Sequence, residues 1–309
     1  MRTTTSAARL VINPLHLCVA GLVSLLVLCA GCAREPAPRP ADEPARQRII
    51  SLVPAATEML FEMGAGPNVV GVSSFDRFPA EVASLPKVGA LVDPDFERIL
   101  TLRPTVVVVY ESQTELIERL TRASVGMYHY RHAIENGLAD IPRTVRALGA
   151  HIGRAEAANA VADRIERELD DVRARVRGKP RPRTALVFGR EPGALRGIYA
   201  SGGVGFLHDI LDAAGGDDVF GDVLRESLQA SAELMLTRQP EVIIELRTTA
   251  STPEAIATER AVWQRLAAIP AVQTGRIYIP TDPALSIPGP RIAAAARAFA
   301  DVLHPASSR

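Results

Sequence analysis

The sequence predicts an α/β protein of two Rossmann-like lobes, each with a central parallel sheet, joined by one long backbone helix, with a ligand cleft between them. Two observations carry this. The first is a duplicated segment: Glu97-Arg98-Ile99-Leu100-Thr101-Leu102-Arg103-Pro104-Thr105-Val106-Val107-Val108 matches Glu233-Leu234-Met235-Leu236-Thr237-Arg238-Gln239-Pro240-Glu241-Val242-Ile243-Ile244. Each copy reads as a short helix, a stop at proline and a buried strand. A second pair, Leu60 to Gly71 and Ile210 to Gly221, aligns two glycines and a valine. The second observation is Ala155 to Arg177, which holds no proline or glycine. Its apolar residues Ala158, Val161, Ala162, Ile165, Leu169, Val172 and Val176 recur at three and four. That spacing predicts a single amphipathic helix about 35 Å long. Two similar lobes make a cleft, the usual place for a ligand, and an unbroken connecting helix limits hinging.

The elements follow in order. Residues 1–32 read as a secretory signal, with Arg2 and Arg9 ahead of a largely apolar run from Leu15 to Ala30. Residues 33–47 carry Pro36, Pro38, Pro40 and Pro44 and read as an extended tether. The N-terminal lobe spans 48–150. Arg48 to Leu52 gives a strand, Pro54 to Met63 a helix stopped by Gly64, and Val69 to Val72 a second strand. Val106 to Tyr110 is apolar enough for a strand buried on both faces. The linking helix occupies 155–178 and ends at Gly178-Lys179-Pro180. The C-terminal lobe spans 182–305 and opens on the strand Ala185 to Phe188.

Composition narrows the function. Lys and Arg number 35, as do Asp and Glu, and removing Arg2 and Arg9 leaves the mature chain at −2. No basic surface is in excess, which argues against a nucleic-acid partner. The mature part has no cysteine beyond Cys32 and therefore no disulfide. No GxSxG elbow is present, and Gly202-Gly203-Val204-Gly205 has neither Walker nor dinucleotide spacing. No catalytic residue is assigned; a two-lobed transferase is the competing class, and a tethered interaction protein a third.

Cleft candidates are the residues that follow strands. They are Ser74-Phe75-Asp76, Gly89-Ala90-Leu91, Tyr110-Glu111-Ser112 and Tyr128 to His132 from the first lobe. The second lobe adds Phe188 to Glu191, Tyr199 to Gly203 and Thr281-Asp282-Pro283. Arg131, Arg190 and Arg291 could pair with ligand carboxylates, or Arg291 could salt-bridge within the second lobe. His129 and His132 are three apart on a strand-like stretch and face opposite ways, so no protein metal site is expected. Glu97 and Glu233 sit in first helical turns after the caps Asp95 and Ser231. Complementing the helix dipole is one role for them; presenting two equivalent acidic points to a two-fold partner is the other.

Several strings together resemble a known family. RIISLVPAATEMLFEMGAGPNVVGVSSFDRFP and PKVGALVDPDFERILTLRPTVVVV lie in the first lobe. YASGGVGFLHDILDAAGGDDVF, SAELMLTRQPEVII and PGPRIAAAARAFADVLHP lie in the second. They are similar to the periplasmic binding proteins for cobalamin and ferric siderophores, which serve ABC importers, over Arg48 to Pro305. The resemblance implies a monomer that captures a metal chelate and passes it to a permease dimer with its ATPases. No intrinsic cofactor is implied; the metal enters only within the ligand. A corrinoid such as cobalamin is favoured, with a ferric siderophore or haem as alternatives. The resemblance assigns permease docking to Glu97 and Glu233. It points to Phe75, Leu91, Tyr110, Tyr130, Phe188, Arg190, Asp282 and Arg291 for the ligand. Leu91 and Ser227 stand where the nearest cobalamin binders carry tryptophan, a departure that bears on the ligand. Leu28-Cys29-Ala30-Gly31-Cys32 resembles a bacterial lipobox. It implies lipidation at Cys32, a protein held outside the cytoplasm, and membrane attachment by that lipid alone.

Overall fold

The computed structural model describes residues 47–131, 137–247 and 252–305. The signal, Cys32, most of the tether and His132 lie outside the described residues. In the first lobe β1 (Ile49–Ser51), β2 (Val69–Val72), β3 (Val106–Tyr110) and β4 (Gly126–Tyr130) form a four-stranded sheet in the order β2-β1-β3-β4. All its pairs are parallel. Helices α1 (Pro54–Glu62), α2 (Phe96–Thr101), α3 (Thr114–Arg122) and α4 (Asp140–His151) connect and cover it.

Helix α5 (Ala155–Val176) follows, and its buried residues are the seven that its sequence periodicity selects. At Gly149 a Cβ would lie 2.1 Å from the Ala158 Cβ, so glycine lets α4 press against α5.

The second lobe contains β5 (Arg183–Gly189), β6 (Ile198–Ser201), α6 (Phe206–Ala213), β7 (Asp217–Asp218), β8 (Ser227–Ala230) and α7 (Ala232–Arg238). It continues with β9 (Val242–Glu245), α8 (Pro253–Val262), α9 (Pro270–Gln273), β10 (Ile277–Tyr278) and α10 (Ile292–Leu303). Strand β5 pairs in parallel with β7 and β9, and β10 lies outside β9. This repeats the first lobe, where β1 pairs with β2 and β3, and β4 lies outside β3.

The central strands of this lobe are parallel, as expected, and one further strand departs from that pattern. Strand β6 runs antiparallel to both β5 and β8. The cause is local: Gly193 (φ 69°) and Gly197 (φ 58°) turn the chain back within a few residues of β5. A connection this short makes a hairpin and cannot make a crossover.

The sequence duplication is physical. Asp95 Oδ1 accepts the Arg98 amide at 2.9 Å, and Ser231 Oγ accepts the Leu234 amide at 3.1 Å. Thr101 and Thr237 each donate a hydroxyl to the carbonyl of the matching glutamate, both at 2.9 Å. Arg103 (φ 46°) and Gln239 (φ 49°) both take the left-handed conformation before their prolines. Each unit then enters an apolar strand buried between helices.

The lobes share one core. It runs from Ile49 and Val108 through Val161, Ile165 and Leu169 of α5 to Leu186 and Ile244, with Ala296 and Phe299 of α10 alongside.

Candidate ligand cleft

The carboxyl ends of the first-lobe strands carry the exposed apolar residues. Phe75, just after β2, is 66% exposed, and Leu91 and Val92 also face solvent. The Ser74 amide donates to the Gly89 carbonyl at 2.7 Å, which ties the Phe75 loop to the Leu91 loop. Tyr110 closes β3, half-buried, with its ring edge-on to Tyr130 at 5.7 Å between centroids. Burial and the charge of Asp76 push the Tyr110 hydroxyl above its usual range. Tyr130 is 2% exposed and belongs to the core. It therefore supports Tyr110 from behind and does not reach the cleft, which corrects its assignment as a ligand residue. Strand alternation carries that signal, since Tyr128 and Tyr130 fall on one face and Tyr128 packs on His151.

The second-lobe wall contains a pocket of about 380 Å³ lined by Phe188, Val204, Phe206, Leu246, Ser227 and Ser286, among others. Phe188 is next to last in β5, and its ring centroid lies 6.4 Å from that of the exposed Tyr199. Arg190 is not part of this wall. Its side chain is 0% exposed and meets Glu245 at 3.1 Å and Glu259 at 2.9 Å. Arg247 completes a closed group, with Nε 2.9 Å from Glu245 and Nη2 2.7 Å from Glu259. Trp263 Nε1 donates to Glu245 at 2.8 Å. A buried guanidinium needs such carboxylates, and they leave Arg190 none of its charge for a ligand.

Arg291 also has a protein partner, and the partner is in the other lobe. Its guanidinium donates to both oxygens of Glu58 on α1, at 3.0 and 2.6 Å. It stacks over the Phe78 ring at 3.9 Å and lies 4.0 Å from Asp282. Asp282 is exposed and caps the turn that carries Ser286, accepting the Ala284 amide at 2.8 Å. Burial pushes the Glu58 carboxyl up, and Arg291 opposes that shift. Glu58 was missed by the sequence reading. The available signal was one acid among Ala55, Ala56, Met59 and Leu60 in a helix that is buried almost throughout. A second cross-lobe bond runs from the Leu138 amide to Asp209 on α6 at 3.0 Å. The Glu58–Arg291 pair thus ties the two lobes together; Phe75, Leu91 and Tyr110 belong to the first lobe, and Phe188 and its pocket to the second.

Arg131 is paired with Glu111 at 3.0 Å. Glu97 and Glu233 are both exposed in the first turns of α2 and α7. Glu97 lies 3.6 Å from Arg119. Backbone hydrogen bonding at the head of α7, together with Ser231, holds the Glu233 carboxyl below its usual range. Among the described residues no cluster of His, Cys, Asp and Glu could hold a metal ion, and no helix is long and apolar enough to cross a membrane.

Residues 49–284 match a family described as periplasmic binding protein. A vitamin B12-binding protein of Pectobacterium carotovorum subsp. carotovorum (strain PC1) is 28% identical over 269 residues, covering 85% of this chain and 91% of that protein. The solved periplasmic vitamin B12 binding protein of Vibrio cholerae superposes with a TM-score of 0.70 at 24% identity, covering 85% of this chain and 98% of its own. A periplasmic heme-binding protein from Roseiflexus sp. RS-1 superposes with a TM-score of 0.69 at 25% identity, covering 84% and 99%.

Proposed function

The chain belongs to the periplasmic binding protein family, and on that premise we propose that it captures a corrinoid in the cleft between its lobes and delivers it to an ABC permease dimer. It is a binding protein and not an enzyme. The observation that supports a corrinoid is that the arginines near the strand ends are already neutralised by the protein's own carboxylates. Arg131, Arg190, Arg247 and Arg291 are each held by carboxylates of the protein. Phe75, Tyr110, Phe188 and Tyr199 supply flat ring surface that is at least partly exposed. A corrinoid has a broad ring edged largely by neutral amides and needs stacking more than charge. Haem brings two carboxylates and a ferric catecholate brings several negative charges, so each would have to break existing ion pairs at a desolvation cost.

Delivery uses Glu97 and Glu233, which present the same group from the same helical position in each lobe. Such a pair suits arginines on a two-fold permease. Cys32 carries the lipid that keeps the protein near it. The test is calorimetric titration of the purified mature domain with cobalamin, cobinamide, haemin and ferric siderophores. The proposal expects one corrinoid per chain, bound more tightly than haemin or any siderophore. Tight haemin binding without corrinoid binding overturns the ligand assignment and leaves the family intact.

A further inference from the structure

We infer that Gln113 is the positioning residue of the first-lobe wall: one buried side-chain amide sets the spacing between the loops that carry Tyr110 and Leu91. The inference rests on the cleft reading above and adds to it the group that shapes the site. Gln113 is 7% exposed and stands at the N-cap of α3. A side chain there commonly accepts an amide hydrogen bond from its own helix, and this one makes no such bond. It is turned back into the wall. Its Oε1 accepts the Tyr110 amide at 3.0 Å. Its Nε2 donates to the Leu91 carbonyl at 3.0 Å and to the Ala90 carbonyl at 3.4 Å. The two segments are joined side chain to backbone, with Gln113 lying 22 and 23 positions beyond the two carbonyls it reaches.

The donor–acceptor pattern selects the side chain. Facing one N–H and two carbonyl oxygens takes a group that both accepts and donates. Glutamate at this place would still accept from Tyr110, but its second oxygen would face two carbonyl oxygens with no hydrogen between them. Leucine would remove all three bonds that the Gln113 side chain makes to the Tyr110 amide and the Ala90 and Leu91 carbonyls. Protonated glutamate, with one acceptor and one O–H, reproduces the pattern of glutamine. This gives a signature that loss of packing alone would not produce.

The experiment compares wild type, Gln113→Glu and Gln113→Leu as folded mature domains. Cobalamin, cobinamide and haemin are titrated at about pH 8 and about pH 5, and hydrogen exchange is followed without ligand at both. Gln113→Glu is expected to bind about tenfold or more weakly than wild type at the higher pH and to recover most of that loss at the lower. Gln113→Leu is expected to be weak at both. Exchange should speed up at residues 90–94 and 110–112 in Gln113→Glu at high pH and return towards wild type at low pH. A Gln113→Glu protein that follows wild type in affinity and exchange at both values overturns the inference. So does acceleration spread equally over β1 and β5, which would make Gln113 a general stability residue. If wild type binds none of the three compounds, the cleft reading fails on its own account, and the exchange data still decide the role of Gln113.

Discussion

Glu58 and Arg291 are 233 positions apart in the chain and are joined by two hydrogen bonds, of 3.0 and 2.6 Å, between the two lobes. Glu58 is 2% exposed, whereas Arg291 keeps part of its side chain in solvent. The pair adds a polar clamp to the apolar core that already runs through α5. Lobe closure on ligand binding should therefore be small, in contrast to receptors hinged on flexible strands.

The unequal burial of the two partners predicts unequal mutants. Arg291→Ala leaves a carboxylate buried alone and should cost about 3 kcal/mol of unfolding free energy at neutral pH. Glu58→Gln leaves a cation that can reach water and should cost about 1 kcal/mol. Burial already raises the Glu58 carboxyl above its usual value, and loss of Arg291 raises it further. A raised carboxyl favours the folded state at low pH and loses that advantage as pH rises through its folded value. The deficit of Arg291→Ala should accordingly shrink on acidification. Urea unfolding of both variants at two pH values checks the order and the trend.

His208 gives a pH dependence of its own. Its ring is 3.2 Å from Asp218, and that hydrogen bond raises its pKa above the ordinary 6.5. The stabilisation is complete below 6.5 and is lost as pH rises through the higher folded value. His208→Gln should thus lose more stability relative to wild type near pH 5.5 than near pH 9, as read by thermal unfolding at about those two values. An equal loss at both would mean that the ring acts through packing alone.

Tyr110 belongs to the first lobe and Phe188 to the second, and their loss together should weaken ligand binding by about 1–3 kcal/mol. Tyr130→Phe should leave affinity unchanged, because Tyr130 lies behind Tyr110 in the core. Calorimetry on both proteins separates wall from support.

Glu97→Ala with Glu233→Ala should leave ligand affinity unchanged and abolish uptake, since both side chains stand exposed at helix starts. Each single variant should be partly impaired, mainly through a slower association with the permease. Uptake by cells carrying the double variant at the wild-type rate would return both glutamates to capping.

Much of this architecture is local and could be read from the chain. The Glu97 and Glu233 units announce themselves because cap, helix, proline and strand lie within a dozen residues. The α5 stripe is equally plain, since its period is that of the helix. The features that escaped depend on distant partners. Arg190 looks like a free cation beside a strand end until Glu245 and Glu259 are placed around it. Arg291 reads as a ligand group or a partner within its own lobe, and the actual partner is Glu58 in the other. Gln113 has no motif at all: its meaning comes from two loops that only the fold brings together. The antiparallel β6 was legible in principle, because Gly193 and Gly197 bracket a short return after β5.

If a corrinoid enters the cleft beside the Phe188 wall, the single tryptophan of the chain should report it. Trp263 is buried and bonded to Glu245, the residue before Leu246 of the pocket lining. A corrinoid absorbs strongly and should quench Trp263 emission by energy transfer when it occupies that pocket. Titration with cobalamin is predicted to quench the emission progressively and to saturate at one equivalent per chain, with weaker quenching by the Tyr110 and Phe188 double variant at the same concentration. Unchanged Trp263 emission with both cobalamin and cobinamide, at concentrations where haemin quenches it stoichiometrically, would rule out a corrinoid as the ligand of this cleft.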